Sequence, residues 1–308
     1  MAPLVSVIIP VRGKPNELWF TLQGLAHAGF GEASEIIVVD NEPDGDVEEV
    51  CRYYDRPWLR YIPAGEVASV NYPRTVGAEQ ATGDWLLTID SHVLLQPGTF
   101  DDLSKRIAAG SYPEGALVHF GISFGGPNVY GGYRLTLEEN FWGAWELLLP
   151  EGCADPYHVA ASGNWALLTR RADWQRLGGF NPGFRGYGGD EIYIQLKYWR
   201  QGGQVLLDPA LRGCHWSGKR GYSFDLDAFL RNVALGGRIV VGDEFLERFA
   251  EPLERFYSPR AGHPDLVGEA LRAGAAMAEG HLETRQLDAA PLTFDDVRSL
   301  WQRLNVQM

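Results

Sequence analysis

The chain has 308 residues, 45% of them hydrophobic and 22% charged; this excludes a disordered, collagen-like or coiled-coil protein and allows one large domain or two small ones. Its formal net charge of −13 argues against a broad basic surface for nucleic acid, though a metal or a few arginines can still hold an anionic small molecule. No apolar run approaches the ~18 residues of a membrane helix, and no signal-peptide pattern is present, so no membrane span and a cytoplasmic location are expected.

The first segment, LVSVIIPV, is apolar and rich in β-branched residues, the pattern of a strand buried on both faces of a parallel sheet. Gly13, Pro15 and Asn16 break it, and Leu18, Leu22 and Leu25 are spaced as a helix ending near Gly29. EIIVVD (35–40) predicts a second buried strand. Residues 47–54 predict a short helix, 59–62 a third strand, 74–81 a helix and 85–89 a fourth buried strand. Strands alternating with helices over about ninety residues predict an α/β sheet with right-handed crossovers. Ligands of such sheets bind beyond the carboxyl ends of the strands. Those ends carry Pro10-Val11-Arg12, Asp40-Asn41 and Asp90-Ser91-His92.

From about 110 to 165 the chain is rich in glycine and tryptophan, which favours strands and turns. Next come the glycine turn GYGGDE, a helix over 192–200, a strand over 204–207 and Cys214-His215-Trp216. The remainder alternates helices with proline and glycine breaks. The three cysteines, Cys51, Cys153 and Cys214, form no CxxC pair, so neither a disulfide framework nor a thiolate zinc site is favoured.

Asp90 and His92, two residues apart after a buried strand, would share one face of an extended segment. They read either as half of a divalent-metal site or as a strand end with a capping Asp. His215, also at a strand end, is a further candidate ligand. Asp40 reads as an acceptor for a base or ribose, or as an Asx turn. Asp190 and Glu191 read as helix-start acids complementing the dipole or as functional carboxylates. Trp142, Trp145 and Trp165 could stack on a sugar, but core packing suits each better.

The order VSVIIPV, EIIVVDN, RTVGAEQATGDWLLTIDSH, and then GNWALLTRRADWQRLGGFNPGFRGYGGDE with a late His, resembles glycosyltransferases of the GT-A fold, family 2 type. The DSH motif is similar to that of the polypeptide N-acetylgalactosaminyltransferases. The likeness covers about residues 4 to 250. It implies a mostly parallel central sheet flanked by helices. It also implies a catalytic domain over 1–220 (nucleotide half 1–110, acceptor half 111–220) with a carboxyl-terminal helical extension over 221–308.

The resemblance further implies that Asp40 contacts the uracil of a UDP-sugar. Pro10, Val11, Arg12, Arg74, Asp90 and Ser91 would line the nucleotide, and Asp90, His92 and His215 would hold Mn²⁺ or Mg²⁺. Asp190 and Glu191 match an acidic pair near the acceptor, one of which takes the proton from the attacking hydroxyl. The retaining relatives have Asn at the position of Glu191, so the stereochemistry stays open. Those relatives also carry an anchor and a lectin domain; neither is expected here, so their substrate is not carried over.

The expected function is thus metal-dependent transfer of a hexose or N-acetylhexosamine from a UDP-sugar to a hydroxyl on a glycan, small molecule, protein or modified nucleobase. Rival readings are a DNA-modifying transferase, with Arg170, Arg171, Arg176 and Arg185 as a local basic groove, a nucleotidyltransferase, and a non-catalytic nucleotide-sugar-binding protein. Residues 125–132 and those after His215 are expected to be mobile lids.

Overall fold

A computed structural model describes residues 2–65, 69–136, 142–147, 154–216, 224–263, 265–284, 291–293 and 295–299. The first half runs β1 (Val5–Val11), α1 (Pro15–His27), β2 (Ser34–Asp40), α2 (Asp46–Tyr54), β3 (Leu59–Pro63), α3 (Asn71–Gln80) and β4 (Trp85–Ile89). The four strands lie in the order β3-β2-β1-β4, all parallel. The inner strands β1, β2 and β4 are buried along nearly their whole length, whereas the edge strand β3 is only partly buried. Ile8, Ile37, Val39 and Leu86 enter one core; Val7, Ile9, Ile36, Val38 and Leu87 enter the other. The helix predicted over 74–81 begins earlier, at Asn71.

The second half runs β5 (Val93–Leu95), α4 (Thr99–Ala108), β6 (Ala116–Ser123), β7 (Val129–Thr136), β8 (Trp142–Leu147), β9 (Tyr157–His158), β10 (Ala166–Arg170), α5 (Arg171–Leu177), α6 (Asp190–Arg200) and β11 (Gln204–His215). The sheet continues β4-β10-β6-β11-β5. Here β10 is antiparallel to both neighbours, β6 and β11 are parallel, and β5 is antiparallel to β11. The sheet is therefore parallel through its first four strands and mixed beyond them. The strand predicted over 204–207 continues to His215, because an irregularity between Asp208 and Arg212 absorbs Pro209 without ending the ladder. Asp208 anchors that bulge from inside, accepting from the Tyr112 hydroxyl at 2.7 Å and pairing with Arg106 Nε at 2.8 Å.

Helices α7 (Leu226–Val241), α8 (Glu244–Tyr257) and α9 (Leu266–Thr284) follow. Phe229, Leu230, Val233 and Ala234 of α7 share one buried cluster with Ile8, Leu117 and Ile194. Among the described residues no helix is long and apolar enough to cross a membrane.

Candidate functional site

The carboxyl ends of β1, β2 and β4 open on one side of the sheet, and β11 delivers its last residue there. Asp90 follows β4, its N–H donating to Trp165 O at 3.0 Å. The sequence places Asp90 and His92 on an extended face; instead Ser91 and His92 form a turn. The buried Thr21 hydroxyl of α1 causes it, donating to Ser91 O at 2.8 Å and accepting from the Val93 N–H at 3.0 Å. The turn brings the His92 ring to the His215 ring, centroids 4.5 Å apart. His215 arrives through the pairing of β11 with β5, where it faces Val93. Its Nε2 lies 3.1 Å from Asp90 Oδ2.

Asp90, His92 and His215 can each offer a ligand atom, all within 4.8 Å of one another. Three observations fit a divalent ion. Asp90 stays ionised: burial alone would raise its pKa, but the His215 hydrogen bond and the Arg74 charge override it and hold it far below the carboxylate range. Burial, against the pull of Asp90, pushes the His92 pKa down, which favours the neutral, ligating imidazole. Nδ1 of His215 is buried with no hydrogen-bond partner among the described residues. One carboxylate with two imidazoles suits Mn²⁺ better than Mg²⁺, which prefers oxygen throughout.

Arg74, only 5% exposed, ties this cluster to the acidic pair. Its Nη2 donates to Asp90 Oδ1 at 3.0 Å and to Asn164 O at 3.2 Å; its Nη1 lies 3.5 Å from Asp190 Oδ2. Its guanidinium also stacks over Phe180. Asp190 opens α6, buried, with Asn164 Nδ2 3.4 Å away. Burial raises its pKa despite the Arg74 charge, which makes it a stronger base than an ordinary aspartate. Glu191, the next residue of the same turn, is less buried.

Apart from Arg74, the residues expected to line the nucleotide sit at the ends of β1 and β2 and just after β4. Asp40 is fully buried, and both of its oxygens are engaged: Oδ1 accepts from the Glu42 N–H at 3.0 Å and Oδ2 from the Tyr61 hydroxyl at 2.9 Å. Burial raises its pKa. Pro10 is partly buried and Val11 buried at the end of β1, beside it. Arg12 turns outward into a two-point contact with Glu42 at 3.2 and 3.3 Å. Ser91 is buried and contributes its carbonyl to Thr21.

Sequence reasoning missed Thr21, Asn71, Asn164 and Glu17. Asn71 Oδ1 lies 3.5 Å from Arg74 Nη1, and Glu17 Oε2 lies 3.7 Å from His92 Nδ1. The one readable signal was Glu17, a polar residue in the first turn after the β1 loop. Trp165 is buried in the core and Trp145 packs on Phe124; the side chain of Trp142 lies outside the described residues. Arg170 and Arg171 donate to the carbonyls of Tyr112 and Gly83, Arg176 to Asp173 and Arg185 to Pro182 and Phe184. Of the four, only Arg176 meets a carboxylate, and Arg176 and Arg185 are exposed. Residues 125–132 hold a turn and the start of β7, whereas 217–223 lie outside the described residues.

A family model described as Glycosyl transferase family 2 matches residues 6–164, just over half of the chain. The putative polypeptide N-acetylgalactosaminyltransferase 13 of Drosophila melanogaster is 27% identical over 246 residues, 73% of this chain and 44% of that protein. Polypeptide N-acetylgalactosaminyltransferase 4 of Mus musculus is 26% identical over 270 residues, 80% and 45% respectively. The chain thus spans under half the length of these curated relatives. Its structure is similar to that of GalNAc-T7 with UDP, GalNAc and Mn²⁺, at a TM-score of 0.68 and 16% identity over 93% of this chain and 58% of that one. It is also similar to S. aureus TarS 1-349 in complex with UDP-GlcNAc, at 0.57 and 14%, over 99% and 92%.

Proposed function

The chain belongs to glycosyl transferase family 2, and from that premise we propose that it transfers a hexose or N-acetylhexosamine from a UDP-sugar to a hydroxyl acceptor. Its fold is that of the GT-A glycosyltransferases. The observation that carries the reading is the Asp90–His92–His215 cluster at the carboxyl ends of the strands. These three residues would hold Mn²⁺ or Mg²⁺. When bound, the ion offsets the charge of the departing nucleoside diphosphate.

The chain's own residues supply the rest. Together with the His215 hydrogen bond, Arg74 keeps Asp90 ionised, and it fixes the carboxylate by a charge-assisted hydrogen bond. Asp190 and Glu191, on the first turn of α6, are the groups proposed to accept the proton of the attacking hydroxyl. Asp40, Pro10 and Val11 form the proposed floor of the nucleotide cleft. The Glu42 N–H and the Tyr61 hydroxyl hold the Asp40 carboxylate in place there. The −13 net charge counts against a DNA-modifying role.

The test is a donor screen: purified protein, Mn²⁺, a panel of UDP-, GDP- and dTDP-sugars, and detection of free nucleoside diphosphate. Release of UDP from one donor is expected, lost in EDTA. His92→Ala should weaken metal affinity by more than about 100-fold. Silence across the panel, with no heat of UDP binding in Mn²⁺, would overturn the reading in favour of a non-catalytic protein. Release of pyrophosphate would point to nucleotidyl transfer.

A further inference from the structure

Helix α6 begins at Asp190 without a side-chain cap; its N-cap is Gly189, in the left-handed region. The direction of its first turn is therefore set by the loop that enters it, residues 185–189. That loop lies directly on α7. A Cβ on Gly188 (φ +91°) would come 2.8 Å from Phe229 Cδ2, and one on Gly189 (φ +80°) would come 2.7 Å from Asn232 Cβ and 2.9 Å from Val233 N. Only glycine permits both this backbone and this approach.

One side chain holds the loop there. Asn232, buried on α7, donates from Nδ2 to Arg185 O at 2.6 Å and to Gly188 O at 2.8 Å. Its Oδ1 accepts from the Arg185 N–H at 3.0 Å. Three of its four hydrogen-bonding capacities are thus spent on the loop, both ends of which it grips.

We propose that Asn232 is a positioning residue of the proposed active site: through the 185–189 loop it fixes the placement of Asp190 and Glu191 opposite the metal cluster. This makes α7 part of the working site and not only a cover for the core. The inference rests on the reading of Asp190 and Glu191 as the proton-accepting pair.

The test compares Asn232→Ala and Asn232→Asp with Val240→Ala, a buried position about two turns further along the same helix. The substrate is the UDP-sugar found in the donor screen, hydrolysed with Mn²⁺, and turnover is normalised to UDP-binding sites titrated by calorimetry. For Asn232→Ala, UDP affinity and KM should be unchanged while kcat per site falls at least ~10-fold, the scale of a small misplacement of a reacting group. Amide hydrogen exchange over 185–193 should accelerate. Asn232→Asp should not rescue, because it keeps the acceptor for Arg185 N–H but sets an anion against two carbonyls. Val240→Ala should lower the melting point and leave kcat per site unchanged. If Asn232→Ala does not fold, Asn232→Ser carries the same comparison.

Unchanged kcat per site, or unchanged exchange over 185–193, overturns the proposal. Asp190→Asn and Glu191→Gln separate this from the reading beneath it. If both keep full turnover, the acidic pair is not the base and that reading fails. If either abolishes turnover while the Asn232 variants keep theirs, only the present inference fails.

Discussion

Glu35, at the start of β2, shows how a single buried acid closes the first half of the sheet. Its Oε1 accepts from the Ser6 hydroxyl at 2.6 Å, from the Thr82 N–H at 2.5 Å and hydroxyl at 2.8 Å, and from the Gly83 N–H at 3.2 Å. Burial alone would raise its pKa, but these bonds override it and hold it below the ordinary glutamate value. A depressed folded-state pKa contributes stability in full above the unfolded value, and that contribution is lost as pH falls through the folded one. Glu35→Gln should therefore cost about 2 kcal/mol at pH 7 and flatten the loss of stability on acidification below about pH 4.3. Urea unfolding at several pH values checks both; an equally steep acid limb in the variant would refute the assignment. Neither this role nor that of Thr21 was legible in the sequence, because their partners stand 47 and 70 residues away. Asp90 and His92 were legible because they directly follow a buried strand.

At the scale of elements, the helices sit where small residues let them approach. Gly77 of α3 lies over β1, and a Cβ there would come 2.4 Å from Ile8 Cγ2 and 3.1 Å from Val39 Cγ2. Gly77→Ala gains helix propensity but overpacks a close-fitting core, so a net loss of about 1–3 kcal/mol is expected by urea unfolding. Because α3 also carries Arg74, the variant should weaken UDP and Mn²⁺ binding too. The strands of the first half could be read from their apolar runs alone. Strand β5 escaped because three residues between His92 and Gln96 carry no periodicity. Helix α4 had a usable signal in Phe100, Leu103 and Ile107, with two acids in its first turn and two basic residues in its last. The full length of β11 was hidden by Pro209, which ordinarily argues against a strand interior.

At the scale of the whole molecule, the carboxyl-terminal helices share the core of the sheet. Phe229, Leu230, Val233, Phe245 and Leu271 belong to the same buried cluster as Ile8 and Leu207. A chain ended at residue 224 should therefore expose that core and fail to give a soluble, cooperatively folding protein; a sharp thermal transition in the truncated chain would refute this. The resemblance of the sequence to known transferases stopped at about residue 250, within this part, since helix packing against a distant sheet leaves no local pattern. The path of β11 has a consequence for how such chains can diverge. This strand leaves α6 through a two-glycine turn, crosses the sheet beside β6, steps over its bulge and ends on His215. Side chains alternate along it, so losing or gaining one residue between the bulge and the imidazole would send that ring to the opposite face. Length changes can accumulate in the exposed residues 125–128, beyond Phe124, whose ring meets that of His215, but not in 212–215. Here the spacing itself, more than the identity of most residues, is what descent must preserve.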